Sequence, residues 1–182
     1  MSKPSIIIIE DTLNNKTVKA KQKVVKIGEF LMDGQTGIDQ LITSAKKQND
    51  TNKATIIESI EYASKTKPDI VNEKAFAFVT DSLRSNAARV KWESAKVIAN
   101  TAHLFPTMLN KAVGNLLSNA EHAGTVVRWS AAGALSKIIQ CMTKLNKTLI
   151  PAIEALEKTE QDKTVKKIYQ QALKKAAKQA VE

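Results

Sequence analysis

Residues 126–138 read VVRWSAAGALSKI, an alanine-rich stretch whose apolar side chains lie three or four positions apart. At 100° per residue, five of these side chains fall within one arc of a helix: Val127, Ala131, Ala134, Leu135 and Ile138. The spacing predicts a helix that buries this arc. Trp129 lies nearly opposite the arc, so the same geometry predicts an indole ring that points away from the core.

The pattern recurs along the chain. Residues 90–98 read VKWESAKVI and residues 165–173 read VKKIYQQAL, so successive copies start 37 and 38 residues apart. A fainter copy, TIIESIEYA, occupies residues 55–63 and begins 35 residues before Val90. Each copy follows another segment with two apolar residues set one turn apart: Ile38/Ile42, Val71/Ala75, Leu109/Val113 and Leu149/Ile153. Each unit is therefore predicted to be a helical hairpin.

The composition supports helices throughout, because Ala, Lys, Leu, Ile and Glu dominate and there are only 6 Gly and 4 Pro. Pro68 and Pro106 stand where helices can begin, and Pro151 falls in a first turn, where its missing N–H costs little. The predicted helices span residues 16–32, 36–48, 52–65, 69–84, 86–104, 107–119, 125–143, 148–160 and 163–181.

Hairpins of this length cannot bury their apolar faces alone, so we expect them to stack into a solenoid with a continuous core. The second helices, above all residues 126–138, resemble the second helix of the HEAT repeat, whose usual form is Val-Arg-x-x-Ala-Ala-x-Ala-Leu. The resemblance covers residues 36–181. It implies an all-α, right-handed α-α superhelix of about four helical hairpins, in which the second helices line an inner, concave surface.

The first 35 residues lie outside these repeats. They are predicted to form an N-terminal arm and a capping helix at 16–32, with the apolar run 6–9 either packed as part of the arm or forming a short helix turn. Residues 36–182 are predicted to form the HEAT-like repeat domain, and the whole chain one compact unit.

Charge and cysteine content limit the classes of function. The 182 residues include 28 Lys plus Arg against 18 Asp plus Glu, a net charge of +10. This excess favours acidic partners, although a merely solvated surface has the same composition. Cys141 is the only cysteine, which excludes an internal disulfide and favours a cytoplasmic location. The run 6–9 is too short for a membrane span, so no membrane insertion is expected.

Candidates for chemistry are few. The two histidines, His103 and His122, have no partners at ligand spacing, and no Gly-rich phosphate loop is present. The sequence therefore predicts no metal, no cofactor and no catalytic residue.

The resemblance places Trp92 and Trp129 side by side on the concave face, because they occupy equivalent positions in adjacent units. Ile57 and Lys167 continue their row in the first and last units, where they suit the ends of a stack. A flanking row and further positions on the same faces would complete a groove that is aromatic at its centre and basic at its edges: Ile56, Lys91, Arg128, Lys166, Lys96, His103, Gln140, Lys174 and Lys178.

A structural interpretation of the same residues stands beside this one. Either tryptophan can lie flat across a neighbouring helix, and Arg128 can tie adjacent repeats together, as arginine commonly does at that position in HEAT repeats. Lys166 then belongs to a solvated face.

The first hypothesis for function is a non-enzymatic scaffold that binds an acidic protein or peptide in the groove, since aromatic and arginine side chains make good interface anchors. The alternative is nucleic acid, with lysines on phosphates and indoles on unpaired bases. Some HEAT-like proteins act in bilin attachment, and others are DNA glycosylases. A glycosylase needs a carboxylate beside its aromatic residues, and Glu93 is expected to point about 100° away from Trp92.

Overall fold

The computed structural model describes residues 5–179, with side chains from Ile7 onward. This part of the chain is all-α and contains no strand. Its ten α-helices are α1 (Ser5–Asn14), α2 (Ala20–Met32), α3 (Ile38–Lys47), α4 (Asp50–Thr66), α5 (Glu73–Ser82), α6 (Ala88–Thr101), α7 (Leu109–Ala120), α8 (Thr125–Ile139), α9 (Asn146–Thr159) and α10 (Lys163–Gln179).

Consecutive helices pair as hairpins, and the hairpins stack in chain order. The second helices α2, α4, α6, α8 and α10 form one layer, in which each packs against the next. The first helices form the other layer, and their contacts with one another are less extensive. The all-α solenoid that the repeats predict is therefore confirmed.

The helix ends differ from the prediction where local turns intervene. The segment predicted as helix 69–84 opens with a 3-10 turn at Pro68–Ile70, and α5 begins only at Glu73, where the Asn72 side chain accepts a hydrogen bond from the Ala75 amide at 2.9 Å. Similarly, α8 ends at Ile139, and Met142 adopts a positive φ of 51°. The last predicted helix extends to residues 180–181, which lie outside the described residues.

The predicted capping helix corresponds to α2, and the apolar run 6–9 lies in a further helix, α1. These two helices form a hairpin, with α1 against α3 and α2 against α4. Ile9 is fully buried, so this hairpin contributes to the same core as those that follow. The boundary at residue 35 stays a prediction.

The core lies between the two layers and is continuous from Ile9 to Ala176. The five residues of the predicted arc in α8 are all buried, which confirms the prediction of which side of α8 faces the core. The equivalent arc in α6, made by Val90, Ser94, Val97, Ile98 and Thr101, is buried as well.

Two glycines inside helices differ in what surrounds them. A Cβ added at Gly28 in α2 would lie 2.5 Å from a ring carbon of Tyr62 and 3.2 Å from the Ser59 carbonyl oxygen of α4. A Cβ at exposed Gly114 in α7 would meet nothing within 4 Å. Gly28 therefore permits the close approach of α2 to α4, whereas Gly114 makes no such contact.

We expect Gly28→Ala to lower the free energy of unfolding by about 1–3 kcal/mol, because Tyr62 and the α4 backbone must move. Gly114→Ala should raise it by about 0.5–1 kcal/mol through helix propensity alone. Urea denaturation followed by circular dichroism measures both. A Gly28→Ala protein as stable as Gly114→Ala would contradict the close packing of α2 on α4.

Candidate functional site

The outward side of α6 and α8 carries a regular stripe of side chains, which we call the second-helix face. It is made by pairs of residues that lie 37 positions apart, on the two helices and just after their C-terminal ends: Arg89 and Val126, Trp92 and Trp129, Lys96 and Gly133, Asn100 and Lys137, and His103 and Gln140. All ten are half-buried or exposed. On α10, Lys167, Gln171, Lys174, Lys175 and Lys178 extend this face.

Both tryptophans lie outside the core, in agreement with their predicted direction. Trp129 is 44% exposed and Trp92 is half-buried. Val126, one turn before Trp129, is 52% exposed, so α8 presents two large apolar side chains to solvent. The sequence reasoning missed Val126, although its position three residues before Trp129 places it on the same side of the helix.

Trp92 is held by a buried carboxylate. Its indole Nε1 donates a hydrogen bond to Glu93 Oε1 at 2.7 Å, and Lys96 Nζ donates to Glu93 Oε2 at 2.9 Å. The expectation that Glu93 points away from Trp92 is therefore wrong. The Glu93 side chain is almost completely buried, and a buried carboxylate must find donors, so it folds back to the indole N–H beside it.

Glu93 and Lys96 shift each other's pKa. Burial raises the pKa of Glu93, although Lys96 and Trp92 partly oppose it. Burial would lower the pKa of Lys96, but the hydrogen bond and the charge of Glu93, with the charge of Glu61, outweigh it and raise that pKa. The contact between Glu93 and Lys96 therefore favours the charged form of each group, and burial opposes it.

Charged side chains of α4 lie beside Arg89 and Lys96 of the second-helix face, and this part, which we call its α4–α6 half, is electrically balanced. Glu61, which is also buried, lies 2.8 Å from Lys65 Nζ and 3.7 Å from Lys96 Nζ. Glu58 pairs with Arg89 at 2.5 Å. Three carboxylates therefore meet three cations in this half: Glu58, Glu61 and Glu93 with Lys65, Arg89 and Lys96.

The rows predicted through α4 are wrong at that helix, because Ile56 and Ile57 are fully buried. The half-exposed residue beside them is Glu58, which lies 34 positions before Trp92 instead of 35. The first copy of the repeat is thus out of register by one residue. Since α4 packs against both α2 and α6, it buries a wider arc than a helix at the end of the stack.

The predicted flanking row is occupied by contacts within the chain. Lys91 Nζ donates to the carbonyl of Leu83 at 3.1 Å and to Asn119 Oδ1 at 2.8 Å, and so joins the turn after α5 to the end of α7. Burial lowers the pKa of this lysine. Lys166 Nζ lies 3.8 Å from Glu157 of α9. Neither side chain belongs to the second-helix face.

Arg128 is the equivalent of Lys91 in the next hairpin. Its guanidinium donates to both carboxylate oxygens of Glu160, at 3.0 and 3.1 Å, and to the carbonyls of His122 and Ala123, both at 3.1 Å. The hydrogen bond to Glu160 raises the pKa of Arg128. Arg128 therefore ties the α7–α8 turn to the end of α9, which is the structural interpretation of this residue.

The α8–α10 half of the face is basic. Its lysines are exposed, and none has a carboxylate within 4.0 Å among residues 5–179: Lys137, Lys167, Lys174, Lys175 and Lys178. The sequence reasoning missed Lys137 and Lys175, which a helical projection places on this face.

The far end of the face carries the two remaining predicted residues. His103 is exposed, and the half-buried Gln140 donates its amide to the Ser136 carbonyl. They border a cleft of about 180 Å³ together with Cys141, whose thiol pKa is raised by burial. A raised pKa keeps this thiol protonated and unreactive at neutral pH.

Within residues 5–179, no three side chains of His, Cys, Asp or Glu are grouped so that they could hold a metal ion. None of the helices in this range is both long and apolar enough to span a membrane.

Solved structures of known proteins share this arrangement of helices. A chain of the complex of CpcE and CpcF of phycocyanin lyase from Nostoc sp. PCC7120 superposes with a TM-score of 0.68 at 19% identity, covering 92% of this chain and 98% of that chain. A designed armadillo repeat protein in complex with the peptide (KR)4 gives 0.74 at 17% identity, covering 95% and 80%. The fold is a HEAT/armadillo-type α-solenoid. Another designed armadillo repeat protein gives 0.71 at 16% identity, covering 94% and 80%.

Comparison of sequences, in contrast to comparison of structures, gives no match. No protein-family model matches the chain, and neither does any curated protein sequence. The solenoid fold is typical of protein-binding scaffolds, although the phycocyanin lyase shares it.

Proposed function

We propose that the chain is a non-enzymatic scaffold that binds an acidic protein segment or peptide on the α8–α10 half of the second-helix face. One observation supports this above the others. An exposed indole, that of Trp129, lies on the same face as five lysines that have no ion-pair partner among residues 5–179. Such a surface combines an anchor for an apolar side chain with a field that attracts carboxylates.

Trp129 is a better anchor than Trp92. Trp92 already donates its N–H to Glu93, whereas Trp129 has no hydrogen-bond partner among the described residues and can donate to a ligand. Gly133, one turn further along α8, has no side chain, and a Cβ built there would meet nothing within 4 Å. This leaves open space beside the indole, where a peptide backbone can approach closely.

The layer that carries this face is expected to be the inner one. Neighbouring second helices contact each other more extensively than neighbouring first helices do, and a stack bends toward the layer whose helices lie closer together. A concave face of this kind suits an extended segment that runs across α6, α8 and α10.

The sign of the charge favours an acidic partner. The designed armadillo neighbour was solved with the basic peptide (KR)4. In the present chain the α4–α6 half is neutral and the α8–α10 half is basic, so complementarity favours a ligand of the opposite charge.

Binding is testable with model peptides by fluorescence anisotropy. We expect a labelled peptide of alternating Glu and Leu to bind the full chain at low salt and to bind more weakly as salt is added. A peptide of alternating Lys and Leu should not bind. Trp129→Ala should weaken binding of the acidic peptide by about tenfold or more, the effect of removing an interface anchor.

The matched control is Leu104→Ala, which removes a side chain of similar exposure, 40%, from a position outside the second-helix face. It should leave the affinity unchanged. Equal loss in both variants, or equal binding of the acidic and basic peptides, would refute the proposed site.

Nucleic acid is the alternative ligand for the same lysines and indole. On the second-helix face, the cations without an ion-pair partner among residues 5–179 lie only on α8 and α10, and the α4–α6 half adds no net charge, so a phosphate backbone would find only a short track. A labelled single-stranded oligonucleotide belongs in the same titration, and tighter binding of it than of the acidic peptide would replace the peptide proposal.

The catalytic alternative has less support. A carboxylate does lie beside an aromatic residue, but Glu93 is only 4% exposed, and both its oxygens are already bound, one by Trp92 and one by Lys96. A carboxylate so placed has no free oxygen directed at a substrate.

A further inference from the structure

A groove lies in the other layer, between the first helices α3 and α5. Its volume is about 740 Å³. Apolar side chains line part of it, namely Ile42, Ala77 and Phe78. Its basic side chains include Lys46 and Arg84. We call it the first-helix groove.

The carboxylates of the groove are already neutralised. Asp39 accepts hydrogen bonds from Asn72 at 2.9 Å and from Lys74 at 3.3 Å, and these two contacts hold its pKa below the ordinary value. Asp81 pairs with Lys111 at 2.6 Å. These aspartates therefore leave the other cations of the groove without a counter-charge.

Three cations that line the groove have no ion pair among residues 5–179. They come from different parts of the chain, since Lys46 lies in the last turn of α3, Lys53 in the first turn of α4, and Arg84 just after α5. The C-termini of α3 and α5 lie beside the N-termini of α4 and α6, so the opposed helix dipoles largely cancel there. The three positive charges are consequently in excess.

The ammonium group of Lys53 lies next to the apolar lining of the groove. Its Nζ lies 5.6 Å from the centre of the Phe78 ring, within the range of a cation–π contact. Phe78 is otherwise buried, so the ammonium group is held at the border between the apolar lining and solvent. An apolar lining next to cations without ion-pair partners is complementary to a molecule that has an apolar body and an acid group.

We propose that the first-helix groove binds a small amphipathic anion. Its apolar body would lie on Ile42 and Phe78, and its carboxylate or phosphate would contact Lys46, Lys53 and Arg84. The volume falls within the range of about 300–1,000 Å³ that is usual for small-molecule sites. This site lies in the layer opposite the second-helix face and does not depend on the peptide proposal.

The test uses anilinonaphthalene sulfonate, a fluorescent anion with an aromatic body, and the folded full chain at low salt. We expect saturable binding at one site, with amide NMR shifts concentrated at Ala77, Phe78 and Lys46. Combining Lys46→Glu with Arg84→Glu should weaken binding by about tenfold or more, because an attractive charge becomes repulsive at two places. Absence of binding, or shifts centred elsewhere, would overturn the proposal.

A control with the same change of net charge combines Lys144→Glu with Lys147→Glu, two exposed lysines outside the groove, and should bind the probe as the parent does. Circular dichroism establishes that each variant is folded. Equal weakening in both double variants would show that only overall charge matters and would refute the site.

Competition with the fluorescent probe separates the contribution of the ligand's acid group from that of its apolar body. An alkyl phosphate and a fatty acid are each expected to displace the probe, and their relative affinities decide between phosphate and carboxylate. Inorganic phosphate should compete at least about tenfold more weakly, because it lacks the apolar body. Equal competition by inorganic phosphate would contradict a role for Ile42 and Phe78. Trp129→Ala should not alter any of these results, which separates this site from the peptide site.

Discussion

Leu135→Ala is expected to lower the free energy of unfolding by about 3 kcal/mol. Leu135 is fully buried in α8, and α8 packs against α6, α7 and α10, so truncation leaves a cavity where these helices meet. Its neighbours in the arc, Ala131 and Ala134, are too small to fill that space. Urea denaturation of the parent and the variant, followed by far-UV circular dichroism, gives the difference.

The control lies on the opposite side of the same helix. Val126 is mostly in contact with solvent, so Val126→Ala should change the free energy of unfolding by no more than about 0.5 kcal/mol. If Val126→Ala lowers the free energy of unfolding as much as Leu135→Ala does, the buried and exposed sides of α8 have been assigned the wrong way round. The second-helix face would then not be an exposed surface.

The sequence was sufficient to predict how α6 and α8 are oriented. In each, the buried residues recur at three or four positions and the tryptophan falls opposite them, so one helical projection defines the arc. The same projection fails for α4. Its apolar residues Ile56, Ile57 and Ile60 are all fully buried, because α2 packs against the side of α4 that the sequence pattern places at the end of the repeats. Apolar residues at both 56 and 57 allow two registers that differ by one residue, and the local pattern does not choose between them.

The contacts of the basic residues in the flanking row could not be predicted from the sequence, for a different reason. Where a long side chain such as Lys91 or Arg128 ends depends on acceptors about 30 residues away in the chain, Asn119 and Glu160. No local pattern places those acceptors, because they reach the site only when hairpins stack. The prediction that Glu93 points away from Trp92 is wrong for a related reason. The direction of the Cα–Cβ bond does not determine where the carboxylate of a long side chain lies.

The second large effect is expected from Arg128→Met, which should lower the free energy of unfolding by about 3 kcal/mol at neutral pH. The substitution leaves the Glu160 carboxylate buried without its bidentate partner and removes the donor to the carbonyls of His122 and Ala123. Combining it with Glu160→Met should recover most of the loss, because an apolar pair needs no counter-charge. If the double variant is no more stable than the single one, the unpaired carboxylate is not the cause.

The pH dependence of this loss identifies the group responsible. Burial by itself raises the pKa of Glu160, but the hydrogen bonds from Arg128 and from the Asp162 and Gln161 amides outweigh it and bring the pKa below the ordinary 4.5. In the parent, the stabilisation from Glu160 is therefore complete above 4.5 and disappears as the pH falls through the lowered pKa. In Arg128→Met the two amide hydrogen bonds remain but the hydrogen bond and charge of Arg128 are lost, so the pKa of Glu160 should be higher than in the parent and its ionised form should stabilise the fold less. The stability difference between parent and variant should therefore be largest at neutral pH and should shrink as the pH falls to values below 4.5, and a difference that stays constant would show that the Glu160 charge does not contribute to it.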